Sequence, residues 1–255
     1  MKYIDINCDI GESFGKYTIG NDEMMMPEIV SANVACGLHA GDANVMSKTV
    51  QMAKESGVFV GAHPGYPDIS GFGRRYMVLT PEELYNYTVF QVGALVQFLE
   101  INDMKLSHIK PHGKLYDTLI DNDELAEAFA KACADIQPRG TVYFLGSIPE
   151  NCLEKYCGKY GLKYVREVYC DIDFTPEGRT LVKTNYEHIS PEKATERALR
   201  FLKTGEIAAI DGTILKFEAD SICVHGDSDN CLEIIRHLKQ ALEQGGYQIK
   251  NPSQF

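Results

Sequence analysis

No stretch of the sequence approaches the roughly 20 consecutive apolar residues that a membrane-crossing helix requires. The first residues, MKYIDINCDIGES, place acids where a signal peptide needs an apolar core. Both absences predict a cytoplasmic protein with no membrane attachment. Basic residues are scarce: Lys+Arg number 25 against 36 Asp+Glu, a formal charge of -11, and the only adjacent basic pair is Arg74-Arg75. Such a chain repels phosphate backbones, which argues against nucleic acid as a partner. The eight cysteines include no C-x-x-C pair, so they read as reduced, mostly buried thiols rather than a disulfide framework or a zinc knuckle. Cys8, Cys36, Cys170 and Cys223 lie in or at the ends of strand-like runs, yet nothing nearby in sequence activates any of them as a nucleophile. G-x-x-x-x-G-K-[ST] is missing, and GFG at residues 71–73 is not followed by the helix a dinucleotide fingerprint demands. H-E-x-x-H, the G-x-S-x-G elbow and the Ser/Lys pair of acyl-enzyme formers are missing too.

What is present is an alternation. With 255 residues, 44% hydrophobic and 24% charged, the chain can bury a sizeable core. YIDINC, VSANVAC, VFVGAH, SHIKPH, TVYFLG, KYVREVY and SICVH read as seven strands, by their period of two or their short apolar runs. Between them fall helical patterns with polar caps and apolar stripes. In TPEELYNYTVFQVGALVQFLE, Thr80 caps, Pro81 opens the first turn and Glu83 closes a capping box. Residues 42–56, DNDELAEAFAKACADI, SPEKATERALRFLK and DSDNCLEIIRHLKQALEQ follow the same grammar. One stretch breaks the alternation, EIAAIDGTILKF, where Asp211-Gly212 between apolar runs predicts a hairpin. No linker, repeat or low-complexity segment divides residues 1–255, so the expectation is a single α/β domain with a parallel sheet. Seven strands favour closure into a barrel.

In such folds functional groups collect at the carboxyl ends of the strands. Asp9, His39, His63, His112 and His225 each fall at the end of a predicted strand, and every one of these histidines has Gly or Pro within two residues, which lets the backbone turn or approach a ligand closely. A lone histidine there would read as a hydrogen-bonded core imidazole. Five coincident positions point instead to a cluster around one mouth, able to shuttle protons or to ligate a metal.

Carboxylates accompany the histidines: Asp9 and Glu12 in CDIGES, Asp42 after His39, Asp227 after His225. Asp42 and Asp227 each precede a helical run and can equally serve as caps. Asp9, at the end of an apolar strand, must find a proton, a cation or a metal. Lys110 lies two residues before His112, so both share one face of a strand. The Gly/Pro-rich connection HPGYPDISGFGRRYM is long for a compact domain, and Arg74 and Arg75 near its end could clamp an anion as the loop closes.

DINCDIGESFGKYTIGND, SANVACGLHAGD, GVFVGAHPGYPDISGFGRR, IKPHGKLYD and ICVHGD together resemble the LamB/YcsF, or lactam-utilisation, family. The resemblance spans nearly the whole chain and is densest over residues 3–120. It implies a seven-stranded β/α barrel of the glycoside hydrolase/deacetylase type. It also implies one component of an ATP-dependent 5-oxoprolinase that acts with subunits B and C to open 5-oxo-L-proline to L-glutamate, ATP being the co-substrate. Asp9, Glu12, His39, Asp42, His63, Lys110, His112, His225 and Asp227 occupy the family's polar signature positions. The chain departs from the family pattern at Leu38, where Phe is common, at Lys114 and Asp117, where Ala and Asn are usual, and at Ile172, where the family has arginine. If that arginine holds a substrate carboxylate in relatives, Lys114, Arg74 or Arg75 must replace it.

The missing nucleotide motif predicts that partner subunits supply the ATP site, while the strand-end cluster adds water to the activated ring carbon. His39 or His112 would act as base, an adjacent Asp would orient it, and Lys110 would stabilise the oxyanion. Two other readings stay open: a metal-dependent deacetylase or amidase acting without ATP, for which the implied deacetylase-like architecture offers Asp9, His39 and His112 as metal ligands, and a carrier that binds the lactam without turning it over. Homo-oligomerisation is likewise left open.

Overall fold

The computed structural model describes residues 2–181 and 189–254. The first strand, β1 (Lys2–Ile10), is buried from Ile4 onward on both faces, as its near-continuous apolar run requires of a parallel strand covered by helices. It lies at the centre of a sheet completed by β2 (Ser31–Ala35), β3 (Phe59–His63), β4 (Thr141–Leu145), β5 (Lys163–Tyr169) and β10 (Ser221–Val224). The order is β3-β2-β1-β10-β5-β4 with every neighbour parallel. A short strand, β11 (Tyr247–Ile249), pairs with the start of β1.

The fourth expected strand, SHIKPH, is reduced to a bridge. Ile109 alone pairs with Ala62 of β3 and Val142 of β4. Its neighbours still satisfy the backbone: Ser107 N donates to the Val60 carbonyl (2.8 Å), Ala62 N to that of His108 (2.9 Å), and Ile109 N to that of Thr141 (2.9 Å). Pro111 has no N–H to donate, so the ladder stops there and resumes only where His112 N reaches the Pro64 carbonyl at 2.8 Å. Segment 107–110 therefore joins the two edges of the sheet.

Helices cover the outside. α2 (Ala43–Ser56) is capped by Asp42, α3 (Pro81–Ile101) by the Thr80/Glu83 box, α5 (Asp123–Ile136) by Asn122 and α7 (Pro191–Thr204) by Ser190. α8 (Cys231–Gln244) starts after Asn230 without a side-chain cap, so Asp227 is not its cap. The Asp211-Gly212 hairpin forms between β8 (Glu206–Ala208) and β9 (Ile214–Lys216). Elements the sequence did not announce are α1 (Asp22–Met25), α4 (Gly113–Asp121), α6 (Cys152–Lys159) and the hairpin of β6 (Asp173–Phe174) with β7 (Thr180–Leu181). No described helix is long and apolar enough to cross a membrane.

Candidate active site

Inside the sheet a buried polar ladder runs toward the strand ends. His108 donates from Nε2 to Asn33 Oδ1 (2.7 Å), and Asn33 donates to Asn7 Oδ1 (2.7 Å) and Asp9 Oδ1 (2.8 Å). Asn7 donates to Glu167 Oε2 at 3.0 Å. Gly61 makes room for this: a Cβ there would stand 2.2 Å from His108 Nε2. Lys110 Nζ closes the ladder, 3.2 Å from Asp9 Oδ1, 3.1 Å from Glu167 Oε2 and 3.0 Å from Cys223 Sγ. Burial opposes the lysine's charge, but Asp9, Cys223 and Glu167 hold its ammonium well above the usual lysine range. Burial alone would push the Asp9 carboxyl up; His63 and Lys110 hold it well below the usual carboxylate range.

Three of the predicted histidines meet beside Asp9. His39 and His112 stack at 3.7 Å, and His63 stands edge-on at 4.8 Å from His112 and 5.5 Å from His39. Glu12 adjoins them, with Oε1 3.9 Å from both His39 Nε2 and His112 Nδ1. Burial, then the charges of Asp9 and Asp227, push the Glu12 carboxyl well above its usual range. Burial and neighbouring imidazoles push His39 and His112 well below theirs. Both rings are therefore neutral at physiological pH. His112 Nε2 donates to the Phe72 carbonyl at 2.8 Å, so it is tied at both nitrogens and poorly placed as a base.

The fourth histidine, His225, lies on the other side of Asp9 and stacks on Tyr169. Its orienting carboxylate is Asp171, just past the end of β5, which accepts from His225 Nδ1 (3.0 Å) and from its backbone N–H (2.8 Å). Burial works against the imidazolium, but Asp171 outweighs it and raises the His225 pKa. Asp227, which follows His225 closely in the sequence, instead pairs with Arg74 at 2.7 Å. Asp42 stays outside the cluster: its Oδ1 caps α2, and its Oδ2 accepts from Gly15 N at 2.9 Å.

These groups open onto a cavity of about 450 Å³ whose walls include Tyr116, Tyr169 and Ile172 and whose cations are Lys110, Arg74, Lys114 and Arg179. Lys114 pairs with Asp117, and Arg179, which the sequence did not single out, spans Asp117 and Asp121. Arg75 does not line this cavity; its guanidinium brackets Asp68, which also accepts from Gly71 N and ties the 64–75 loop together. Of the three cations offered in place of the family arginine, Arg74 and Lys114 reach the cavity that holds Ile172, and Arg179 joins them. Cys8, Cys36, Cys170 and Cys223 are buried and free, and burial pushes their thiols up, that of Cys36 to about 12. None is a ready nucleophile.

The arrangement defines a class: an α/β protein with a parallel sheet that gathers acids, imidazoles and a buried lysine at its strand ends, beside a cavity sized for a small molecule. The chain belongs to the LamB/YcsF family, whose model matches residues 4–255. It is 44% identical over 255 residues to the 5-oxoprolinase A-subunit of Thermococcus onnurineus, covering 99% of this chain and 98% of that one. The 5-oxoprolinase A-subunit of Staphylococcus epidermidis is 41% identical over 250 residues, covering 97% and 98%. The crystal structure of a lactam utilization protein from Thermus thermophilus superposes with a TM-score of 0.89 at 38% identity, over 98% of this chain and 100% of that one.

Proposed function

We propose that this chain is the lactam-handling component of an ATP-dependent 5-oxoprolinase, acting with partner subunits B and C to open 5-oxo-L-proline to L-glutamate. The names of its relatives support the substrate. The Ile109 bridges support reading the chain as one domain, a seven-membered β/α barrel of the glycoside hydrolase/deacetylase type.

A five-membered lactam is nearly unstrained, so opening it must be coupled. Transfer of the γ-phosphoryl group from ATP to the lactam oxygen makes the ring carbon electrophilic. Water adds there, the C–N bond breaks, and a second water hydrolyses the resulting γ-glutamyl phosphate to glutamate and phosphate. The nucleotide site is assigned to the partner subunits, since the chain carries no P-loop. The observation that carries the reading is the His225–Asp171 pair at the wall of the cavity. His225, fixed through Nδ1, takes a proton from the attacking water at Nε2 and returns it to the leaving ring nitrogen. Lys110 faces the oxygen that gains charge, and Arg74, Lys114 and Arg179 face the substrate carboxylate.

The test is glutamate and ADP release by the reconstituted three-subunit complex. His225→Ala and Asp171→Asn are expected to lower turnover by about 10²–10⁴. A His225→Ala rate equal to wild type removes the proton-transfer assignment. The second reading, a metal-dependent deacetylase or amidase working without ATP, is favoured by the convergence of His39, His63 and His112. It predicts amide hydrolysis by the isolated chain that needs no ATP and stops on chelation.

A further inference from the structure

We propose that Glu12, His39, His63 and His112 form a binding site for one divalent transition-metal ion of the zinc class. The site does not depend on which amide the neighbouring cavity takes.

Hydrogen bonds fix the imidazole tautomers. His63 Nδ1 lies 2.8 Å from the Lys110 carbonyl and His112 Nε2 lies 2.8 Å from the Phe72 carbonyl. A carbonyl only accepts, so each of those nitrogens carries the hydrogen. Metal-ligating histidines are oriented in this way, with the far N–H given to a backbone carbonyl. The two remaining nitrogens, His63 Nε2 and His112 Nδ1, face each other at 3.0 Å. Two imidazole lone pairs do not stay opposed at that distance without a positive centre, a proton or a metal ion, between them, and Asp9 Oδ2 lies 3.5 Å from the same His63 nitrogen.

A shared proton would meet that need alone, leaving one cationic pair of rings. It would do nothing for His39, which is 1% exposed and whose two ring nitrogens have no hydrogen-bond partner. Leaving such groups unpaired forfeits the hydrogen bonds they make in water. An ion takes the lone pair of His39 and the opposed lone pairs at once, and Glu12 brings an oxygen ligand. The four ligand atoms lie within 4.8 Å of one another. Zinc bonds of about 2.0–2.2 Å set neighbouring tetrahedral ligands roughly 3.4 Å apart, so the 3.0 Å and 3.9 Å separations need adjustments under about 1 Å. His39 and His112 are stacked rather than convergent, and one ring must turn as the ion enters. His39 is that ring, having no hydrogen bond to lose, while His63 and His112 are pinned. Asp9, expected as a ligand from the sequence, has Oδ1 committed to Asn33 and Lys110 and Oδ2 3.5 Å from His63 Nε2, but Glu12, not Asp9, is the carboxylate that converges with all three imidazoles. Three imidazoles with one carboxylate suit zinc, cobalt or nickel rather than magnesium or calcium. His63 and His112 line the cavity, which gives an ion its path inward.

The experiment takes the full chain, strips it with chelator and titrates it with Zn²⁺ or Co²⁺, reading stoichiometry by elemental analysis and Co²⁺ coordination by its visible absorption. One ion per chain is expected. Both His39→Ala and the isosteric Glu12→Gln should weaken binding more than about 100-fold, since even partners one shell further out contribute 10- to 100-fold. Thermal unfolding of each stripped variant shows that the fold survives. His225→Ala, on the opposite side of Asp9, should keep the ion. Three results overturn the site: no ion retained at micromolar free metal, equal binding by wild type and both ligand variants, or loss of the ion on His225→Ala instead.

Discussion

Asp5 shows how a single buried acid couples the fold to pH. It is fully enclosed at the amino end of the sheet, accepting from Ser31 Oγ (2.8 Å), Ser221 Oγ (2.7 Å) and Tyr143 OH (3.1 Å). Burial outweighs these hydrogen bonds and raises its pKa from 3.8 to about 7. The folded state therefore binds this proton more tightly than the unfolded chain does. Below pH 4 both states hold it and the group is neutral to stability. Between pH 4 and 7 the unfolded chain releases the proton and the folded one does not, so stability falls as pH rises, by an amount on the order of 4 kcal/mol. Asp5→Asn removes that slope. Urea unfolding of both proteins at pH 5 and pH 8 should show the wild type losing ground to the variant at the higher pH; parallel curves would refute the assignment.

At the level of elements, the 64–75 connection is a cover over the histidines. Its cation Arg75 and its anion Asp68 brace one another, while Phe72 supplies the carbonyl that fixes His112. Gly73 makes the close approach: its φ is +64°, and a Cβ would come within 2.8 Å of both His112 Cδ2 and His39 Cβ. Gly73→Ala is expected to lift this cover, lowering turnover of the assembled enzyme at least tenfold while moving the thermal midpoint by only a few degrees. Unchanged turnover would show that the cover has no part in placing the imidazoles.

The same element shows what the sequence could and could not reveal. Strand ends were legible because a parallel sheet aims them all one way, and Asp9, His39, His63 and His112 do meet. Partner assignments were not, because proximity along the chain is a poor guide to proximity across strands. Asp227 stood nearest His225 in sequence, yet Asp171 arrives from β5, hydrogen-bonded beside β10. The strand-end rule that found Asp9 would have found Asp171, two residues past β5. Arg179 and α4 carried weaker signals, one in a hairpin turn and the other behind a glycine at φ +54°.

At the scale of the molecule, Lys110 is the cation around which the interior is neutralised. Its Nζ reaches Asp9 of β1, Glu167 of β5 and Cys223 of β10 from the segment that joins the sheet's two edges. Removing one partner of a buried ion pair leaves uncompensated charge and costs about 3–5 kcal/mol, whereas replacing all partners by neutral groups can cost little. Lys110→Met should thus lower urea-unfolding stability by that amount, and at about 2–4 °C per kcal/mol lower the midpoint by roughly 6–20 °C. Adding Glu167→Gln should restore part of the loss, since glutamine's oxygen can still accept from Asn7 without the charge. The two changes would then be strongly non-additive, as expected for groups in one network. Activity separates the two roles of the lysine: the double variant recovers stability but stays inactive if Lys110 also meets the reacting oxygen. A Lys110→Met protein as stable as wild type would mean that the buried acids are protonated in the fold, and that the interior is held together without this cation.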